Sequence, residues 1–228
     1  MIIGVPKEIK RHEYRVGLTP HCVRTYSRNG HQVFIQRGAG IGSGYSDEEY
    51  NENGAEILDD VEDLFNRAEM IIKVKEPLPE EYKYIHEGQI LYTYLHLAAL
   101  PELAKTLMEK KIAAVAYETI ELEDRSLPCL TPMSEIAGRL SVQEGAKYLE
   151  KTFGGRGILL GGVPGVPRGK VAIIGGGVVG TNACKIAVGV GADVTVLDID
   201  ADRLAYLDDI FSTHITTLYS TSSNIEKV

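Results

Sequence analysis

The sequence predicts an α/β protein made of two parallel-sheet domains, the second of them incomplete, and three observations carry the prediction. Short β-branched runs alternate with helical stretches along the chain. A glycine-rich turn, "VAIIGGGVVGTNACKIA" from Val171 to Ala187, joins a buried-strand pattern to a helix. Only 48 residues follow Gly180, enough for about half of the sheet that such a turn normally opens. The composition is globular, with 44% hydrophobic and 25% charged residues in 228, a length for one large or two modest domains.

In chain order, "IIGV" reads as a first strand and "TPHCVRTYSRNG" as a helix, with Thr19 as N-cap, Pro20 at the first helical position and Gly30 as the stop. "HQVFIQ" reads as the next strand, and "SDEE" at Ser46 to Glu49 as a capping box. Three further strand patterns follow in "MIIKVK", "QILYTYLH" and "AAVAYETI". From Thr131, "TPMSEIAGRLSVQEGAKYLEK" gives one longer helical pattern with an apolar stripe through Ile136, Leu140, Val142 or Gln143, and Ala146. The Gly and Pro content of "GGRGILLGGVPGVPRG" suits a loop. Strand, glycine turn, helix, strand "DVTVLDI", helix "ADRLAYLDDIF" and strand "ITTLYS" come next, and Ser223 with Glu226 reads as a last capping box. The expected organisation is a front domain over 1–130, a connecting helix over 131–152 and an incomplete second domain over 153–228.

A net charge of −8 with scattered Lys and Arg argues against nucleic acid as a partner. Cys22, Cys129 and Cys184 are odd in number and far apart, with no metal-ligand spacing, so they read as small buried hydrophobes, with neither a disulfide nor a metal site expected. No basic-then-apolar leader and no run of about 18 apolar residues is visible, so a membrane is not expected and the cytoplasm is the default.

A lone GxGxxG is a weak signal, but here Gly175, Gly177 and Gly180 follow a strand and open a helix, and Asp198 ends the next strand 23 positions after Gly175. Gly175 permits the tight turn, Gly177 lets backbone amides approach a pyrophosphate, and Gly180 allows close helix–strand packing. A carboxylate at Asp198 suits the two ribose hydroxyls and repels a 2′-phosphate, which favours NAD over NADP. Both domains are therefore expected to be Rossmann-like, the second as the N-terminal half of an NAD-binding domain.

In the front domain, Lys75 and His96 end two strand patterns, and Arg15 lies in the loop after the first strand. Ligands in parallel sheets gather beyond the carboxyl ends of strands. Arg15 offers a fork for a carboxylate, Lys75 a positive charge, and His96 a group that exchanges protons near neutral pH.

The blocks "MIIGVPKEIKRHEYRVGLTP", "RGAGIGSGYSDEEY", "IIKVKEP", "YTYLHLA", "TPMSEIAGRLSVQEGAKYLE" and "GGVPGVPRGKVAIIGGGVVG" together resemble the alanine dehydrogenase family, within the wider group shared with the proton-translocating transhydrogenase subunit. The resemblance implies reversible NAD-dependent oxidative deamination of L-alanine to pyruvate and ammonia in a homohexamer, with 1–130 as the substrate domain. It also implies that Arg15 and Lys75 hold the substrate and that His96 is the general acid/base. Met133 would lie near the reacting centre, and Ser134, Val178, Val179, Asp198, Arg203 and Ser220 would contact the cofactor. One departure is His12 before Glu13, where family members commonly carry Asn. The rest of the cofactor domain and a catalytic Asp would follow Val228 in the family, so the chain is expected to be weak or inactive alone. Two rivals stand beside this reading: the transhydrogenase subunit, and a non-catalytic nucleotide-binding or assembly module.

Overall fold

In a computed structural model that describes residues 1–228, the chain forms two compact units, Met1–Glu121 and Leu122–Val228. The first contains β1 (Ile2–Val5), α1 (Pro20–Arg28), β2 (Gln32–Gln36), α2 (Asp47–Glu52), β3 (Ala55–Leu58), α3 (Val61–Arg67), β4 (Met70–Ile72), β5 (Ile90–Thr93), α4 (Pro101–Glu109) and β6 (Ala113–Ala116). All six strands are parallel, in the order β3-β2-β1-β4-β5-β6. The order reverses between β1 and β4, where Ile3 pairs with Met70 and Gly4 with Ile71. Such a reversal sends the two following loops to opposite faces of the sheet and opens a crevice between them.

Period-two alternation builds both faces. Val33 and Ile35 of β2 pack with Ile3, Val5, Val23 and Tyr50 on one side, while Phe34 packs with Leu64, Phe65, Ile71 and Leu91 on the other. The centre of the sheet is thus buried on both faces, as crossover helices require, while edge strand β6 is largely exposed. Strand β3, "AEIL", escapes the sequence reading because it is a four-residue edge strand carrying a Glu.

The caps follow the sequence closely in this unit. Thr19 accepts a hydrogen bond from the Cys22 amide with Pro20 at the first helical position, and Ser46 and Glu49 form both bonds of their capping box. Cys22 differs from expectation: it is exposed on α1 and Cys129 is half-buried, whereas Cys184 is fully buried. Burial pushes the Cys184 thiol up to about 11, which leaves it protonated and inert.

The second unit contains α5 (Thr131–Tyr148), β7 (Lys170–Ile174), α6 (Val178–Gly189), β8 (Asp193–Asp198), α7 (Ala201–Phe211), β9 (Ile215–Tyr219) and the short α8 (Ser222–Ile225). Its sheet is parallel in the order β7-β8-β9, leaving β7 with one neighbour. The helix expected as a connector lies within this unit because α5 packs along α6.

Its buried face follows the expected stripe at Val142 and Ala146 but departs from it in the N-terminal half. Ile136 and Leu140 are exposed, and Gly138 and Val142 are the buried positions. A Cβ on Gly138 would meet the Val179 carbonyl oxygen at 2.2 Å, so the missing side chain sets how closely the helices approach. The last cap is shifted as well: Thr221, extended at φ −109°, accepts from the Asn224 amide, which puts Ser223 inside α8. No helix is long and apolar enough to cross a membrane.

Candidate functional site

In the first unit, Arg15, Lys75 and His96 all follow the carboxyl ends of neighbouring strands, β1, β4 and β5. These ends border the reversal of strand order, and that topology brings the three loops together. The Glu13 carboxylate lies near enough to two of these groups, Arg15 and Lys75, to feel their charge. Glu13 is lowered to about 2, first by hydrogen bonds from Arg15 and also by the positive charge of Lys75. Arg15 in turn is raised, above all by Glu13, with smaller contributions from Tyr94 and Glu8.

The guanidinium is engaged rather than simply offered to solvent. Arg15 Nε donates to Glu13 Oε1 at 2.8 Å and Nη2 to Glu13 Oε2 at 2.6 Å, while the Arg15 amide donates to Oε1 at 3.0 Å. This bidentate pair fixes the fork in a plane. Residue 12 shapes the loop that carries it: His12 sits at φ +64°, in the left-handed region that Asn and His both enter more readily than most residues.

Lys75 is half-buried, and its amide donates to Glu8 Oε1 at 3.2 Å beside that of Val74 at 2.6 Å. Glu8 belongs to a buried ion cluster the sequence reading missed. Lys73 Nζ lies 3.3 Å from Glu8 Oε2 and 2.8 Å from Glu81 Oε1, all three side chains being 5% exposed or less. A buried lysine is tolerable only when paired in this way. A charged residue inside the apolar run "MIIKVK" was the signal available for it.

His96 lies three residues beyond β5 at φ +51°, ψ +36°. Its ring is stacked at 20° on that of Tyr94 with centroids 6.5 Å apart, and Tyr94 packs edge-on against Tyr117. The Leu95 and His96 amides both donate to the Glu118 carboxylate. His96 and Glu118 line a cavity of about 410 Å³ with Ala98, Ala99 and Thr119. Tyr94 and Glu118 were not anticipated, and no local pattern in "AYETI" distinguishes that Glu.

In the second unit the glycine turn has the geometry a dinucleotide needs. Gly175 has φ +96°, and a Cβ on Gly180 would lie 1.8 Å from the Gly175 carbonyl oxygen. A Cβ on Gly177 would meet nothing within 4 Å. Gly177 also caps α6 without any side-chain bond, so the first-turn amides and the positive end of the helix dipole are left for an anion. The middle glycine, which the fingerprint does not require, is closed in by side chains rather than backbone. A Cβ on Gly176 would meet Leu207 Cδ1 at 2.6 Å and Arg203 Cγ at 3.1 Å.

The nine expected cofactor positions fall into two groups around this turn. Ser134, Gly175, Gly177, Val178, Val179 and Gly180 line a cavity of about 800 Å³ bounded by α5 and β7. On the other side, Asp198 Oδ2 accepts from the Gly176 amide at 2.5 Å and Oδ1 from the Asp200 amide at 2.9 Å. These bonds hold its carboxyl below the usual range, that from Asp200 contributing most. The Ser220 amide donates to the Asp198 carbonyl oxygen at 2.9 Å, and exposed Arg203 lies over the Tyr206 ring. Met133 is half-buried in the first turn of α5, its amide donating to the Leu130 carbonyl oxygen.

Residues 4–137 match the family described as alanine dehydrogenase/PNT, N-terminal domain, and residues 141–228 match its C-terminal domain. Over the whole chain, 62% of residues are identical to an alanine dehydrogenase of Methanococcus maripaludis, 61% of whose length is covered. The chain is 61% identical over 99% of its residues to an alanine dehydrogenase of Bacillus subtilis, covering 59% of that protein. A solved L-alanine dehydrogenase superposes over all of this chain and 63% of its own, with TM-score 0.94 and 57% identity. A transhydrogenase from Sinorhizobium meliloti shares the fold, with TM-score 0.82 at 21% identity. The chain thus spans about three-fifths of the length of these curated relatives. With two matched domains that together run from residue 4 to residue 228, the chain belongs to the alanine dehydrogenase/PNT family.

Proposed function

We propose that this chain carries the amino-acid site and part of the NAD site of an alanine dehydrogenase, which converts L-alanine, NAD⁺ and water to pyruvate, ammonium, NADH and a proton. The observation that supports it most is the grouping of Arg15, Lys75 and His96 beyond the adjacent ends of β1, β4 and β5. NAD, when bound, supplies the hydride acceptor. Its pyrophosphate would meet the amides around Gly177, Val178 and Val179, its ribose hydroxyls would meet Asp198, and Ser134, Arg203 and Ser220 would border it. A 2′-phosphate would face the Asp198 carboxylate, so NAD is preferred to NADP.

The chain's own residues bind and move protons. Arg15 and Lys75 hold the substrate carboxylate and oxygen, the substrate sharing the guanidinium with Glu13 or displacing it. His96 takes a proton from the water that adds to the substrate carbon and returns it on release. The family resemblance would add Met133 to the groups near the reacting carbon. A homo-oligomer and the cytoplasm are both part of the proposal, the first supported by exposed Ile136 and Leu140 on α5.

Titration calorimetry of pyruvate and of NADH tests the binding roles. Arg15→Met should weaken pyruvate at least about tenfold without changing NADH, and Asp198→Ala should do the reverse. His96→Ala should abolish whatever alanine-dependent NADH formation the wild-type chain supports. Pyruvate binding indifferent to Arg15 and Lys75, or near-normal turnover without His96, would overturn the proposal.

A further inference from the structure

The three residues proposed to touch substrate share a feature that none of their own side chains reveals. Each leaves the main chain from an amide held by a glutamate: Arg15 by Glu13, Lys75 by Glu8 and His96 by Glu118. The third case carries the most strain. His96 occupies the left-handed region at φ +51°, which a histidine enters more readily than most residues but which still costs free energy and is held by its surroundings.

Glu118 supplies the restraint. Its Oε1 accepts from the His96 amide at 2.7 Å and from the Leu95 amide at 3.1 Å, and Oε2 lies 3.3 Å from the Leu95 amide. Two successive amides closing on one oxygen resemble the nests in which backbones hold anions. The bond bridges 22 residues, from the 3-10 turn after β6 to the loop after β5. The Cα–Cβ direction of His96, and with it the imidazole, depends on that backbone state.

We propose that Glu118 is a positioning residue for His96, its carboxylate locking the left-handed backbone from which the imidazole projects toward the substrate. This rests on the reading of His96 as a substrate-site group. Because one oxygen already accepts from both amides, a neutral amide oxygen at the same place should suffice. Glu118→Gln should therefore behave as wild type, which a role for Glu118 as a proton donor or counter-charge would not allow. Glu118→Ala removes the acceptor, and Glu118→Met does so while keeping side-chain length and packing.

The test is a double-mutant cycle on the 228-residue chain, read by pyruvate titration and by the carbon shifts of His96, which report its backbone conformation. Pyruvate should bind about tenfold more weakly to Glu118→Ala, Glu118→Met and His96→Ala alike, and no more weakly still to Glu118→Ala/His96→Ala. Glu118→Gln should stay within about twofold of wild type and keep the left-handed shifts that Glu118→Met loses. Failure of Glu118→Ala to fold leaves the cycle to Glu118→Met. Additive losses, a Gln variant as weak as Met, or left-handed shifts retained in Met would overturn the inference while leaving His96 in the site. Pyruvate binding that ignores His96 altogether would instead remove the site reading on which it rests.

Discussion

Helix α5 contains two glycines, Gly138 and Gly145, seven residues apart, and the structure assigns opposite signs to their replacement by alanine. In an exposed helix either change should gain up to about 1 kcal/mol from propensity. At Gly145 a Cβ meets nothing within 4 Å, so that gain should appear undiminished. At Gly138 it would lie 2.2 Å from the Val179 carbonyl oxygen, 2.9 Å from Asn182 Cβ and 3.0 Å from the Ala183 amide nitrogen. The obstacle is helical backbone, which no rotamer change clears.

Relief therefore requires α5 and α6 to separate by about 1 Å, a gap that forfeits a quarter to half of each dispersion contact along the seam. That seam includes Val142, Ala183 and the Arg139–Asn182 hydrogen bond of 3.2 Å. Overpacking costs about 1–3 kcal/mol, and rigid backbone on both sides puts Gly138→Ala at the upper end. After the propensity gain the net loss is about 2 kcal/mol, so the two variants should differ by about 3 kcal/mol. Calorimetric unfolding of the two variants beside wild type measures this directly, each kcal/mol moving the midpoint by roughly 4–8 °C for a unit of this size. A Gly138→Ala midpoint at or above wild type would refute the claim that close helix approach, rather than an apolar stripe, defines the α5 interface.

Lys73→Met leaves Glu8 and Glu81 buried without their cation, and should cost about 3–5 kcal/mol in urea unfolding followed by circular dichroism; a loss below about 1 kcal/mol would mean that the cluster is solvated. Glu13 titrates near 2 in the folded chain against a reference of 4.5. Its contribution is therefore complete above the unfolded value and drains as pH falls from about 4.5 toward about 2. Glu13→Gln should be less stable than wild type at neutral pH, and the difference should shrink across that window; a difference that grows on acidification would contradict the sign.

Features whose physics is local could be read from the chain. Ser46 and Glu49 are three residues apart, Thr19 and Pro20 are adjacent, and Gly175, Gly177 and Gly180 act within one turn. Each needs only neighbours in sequence to do its work. Strand alternation and the helical pattern from Thr131 were legible for the same reason, although four-residue β3 was too short and too polar to register.

What tertiary structure decided lies where distant segments meet. Hydropathy gave only the Val142 and Ala146 half of the buried face of α5, because its closest contact is made by Gly138, which has no side chain, while apolar Ile136 and Leu140 are exposed. Nor could the pairing of Lys73 with Glu8, 65 positions away, or of His96 with Glu118 be seen in any window of the chain. Sequence alone determined the kinds of groups available and the elements that carry them. The parallel pairing of β1 with β4 at the reversal of strand order determined which loops become neighbours, since only the assembled sheet sets the distances on which charge and hydrogen bonding depend.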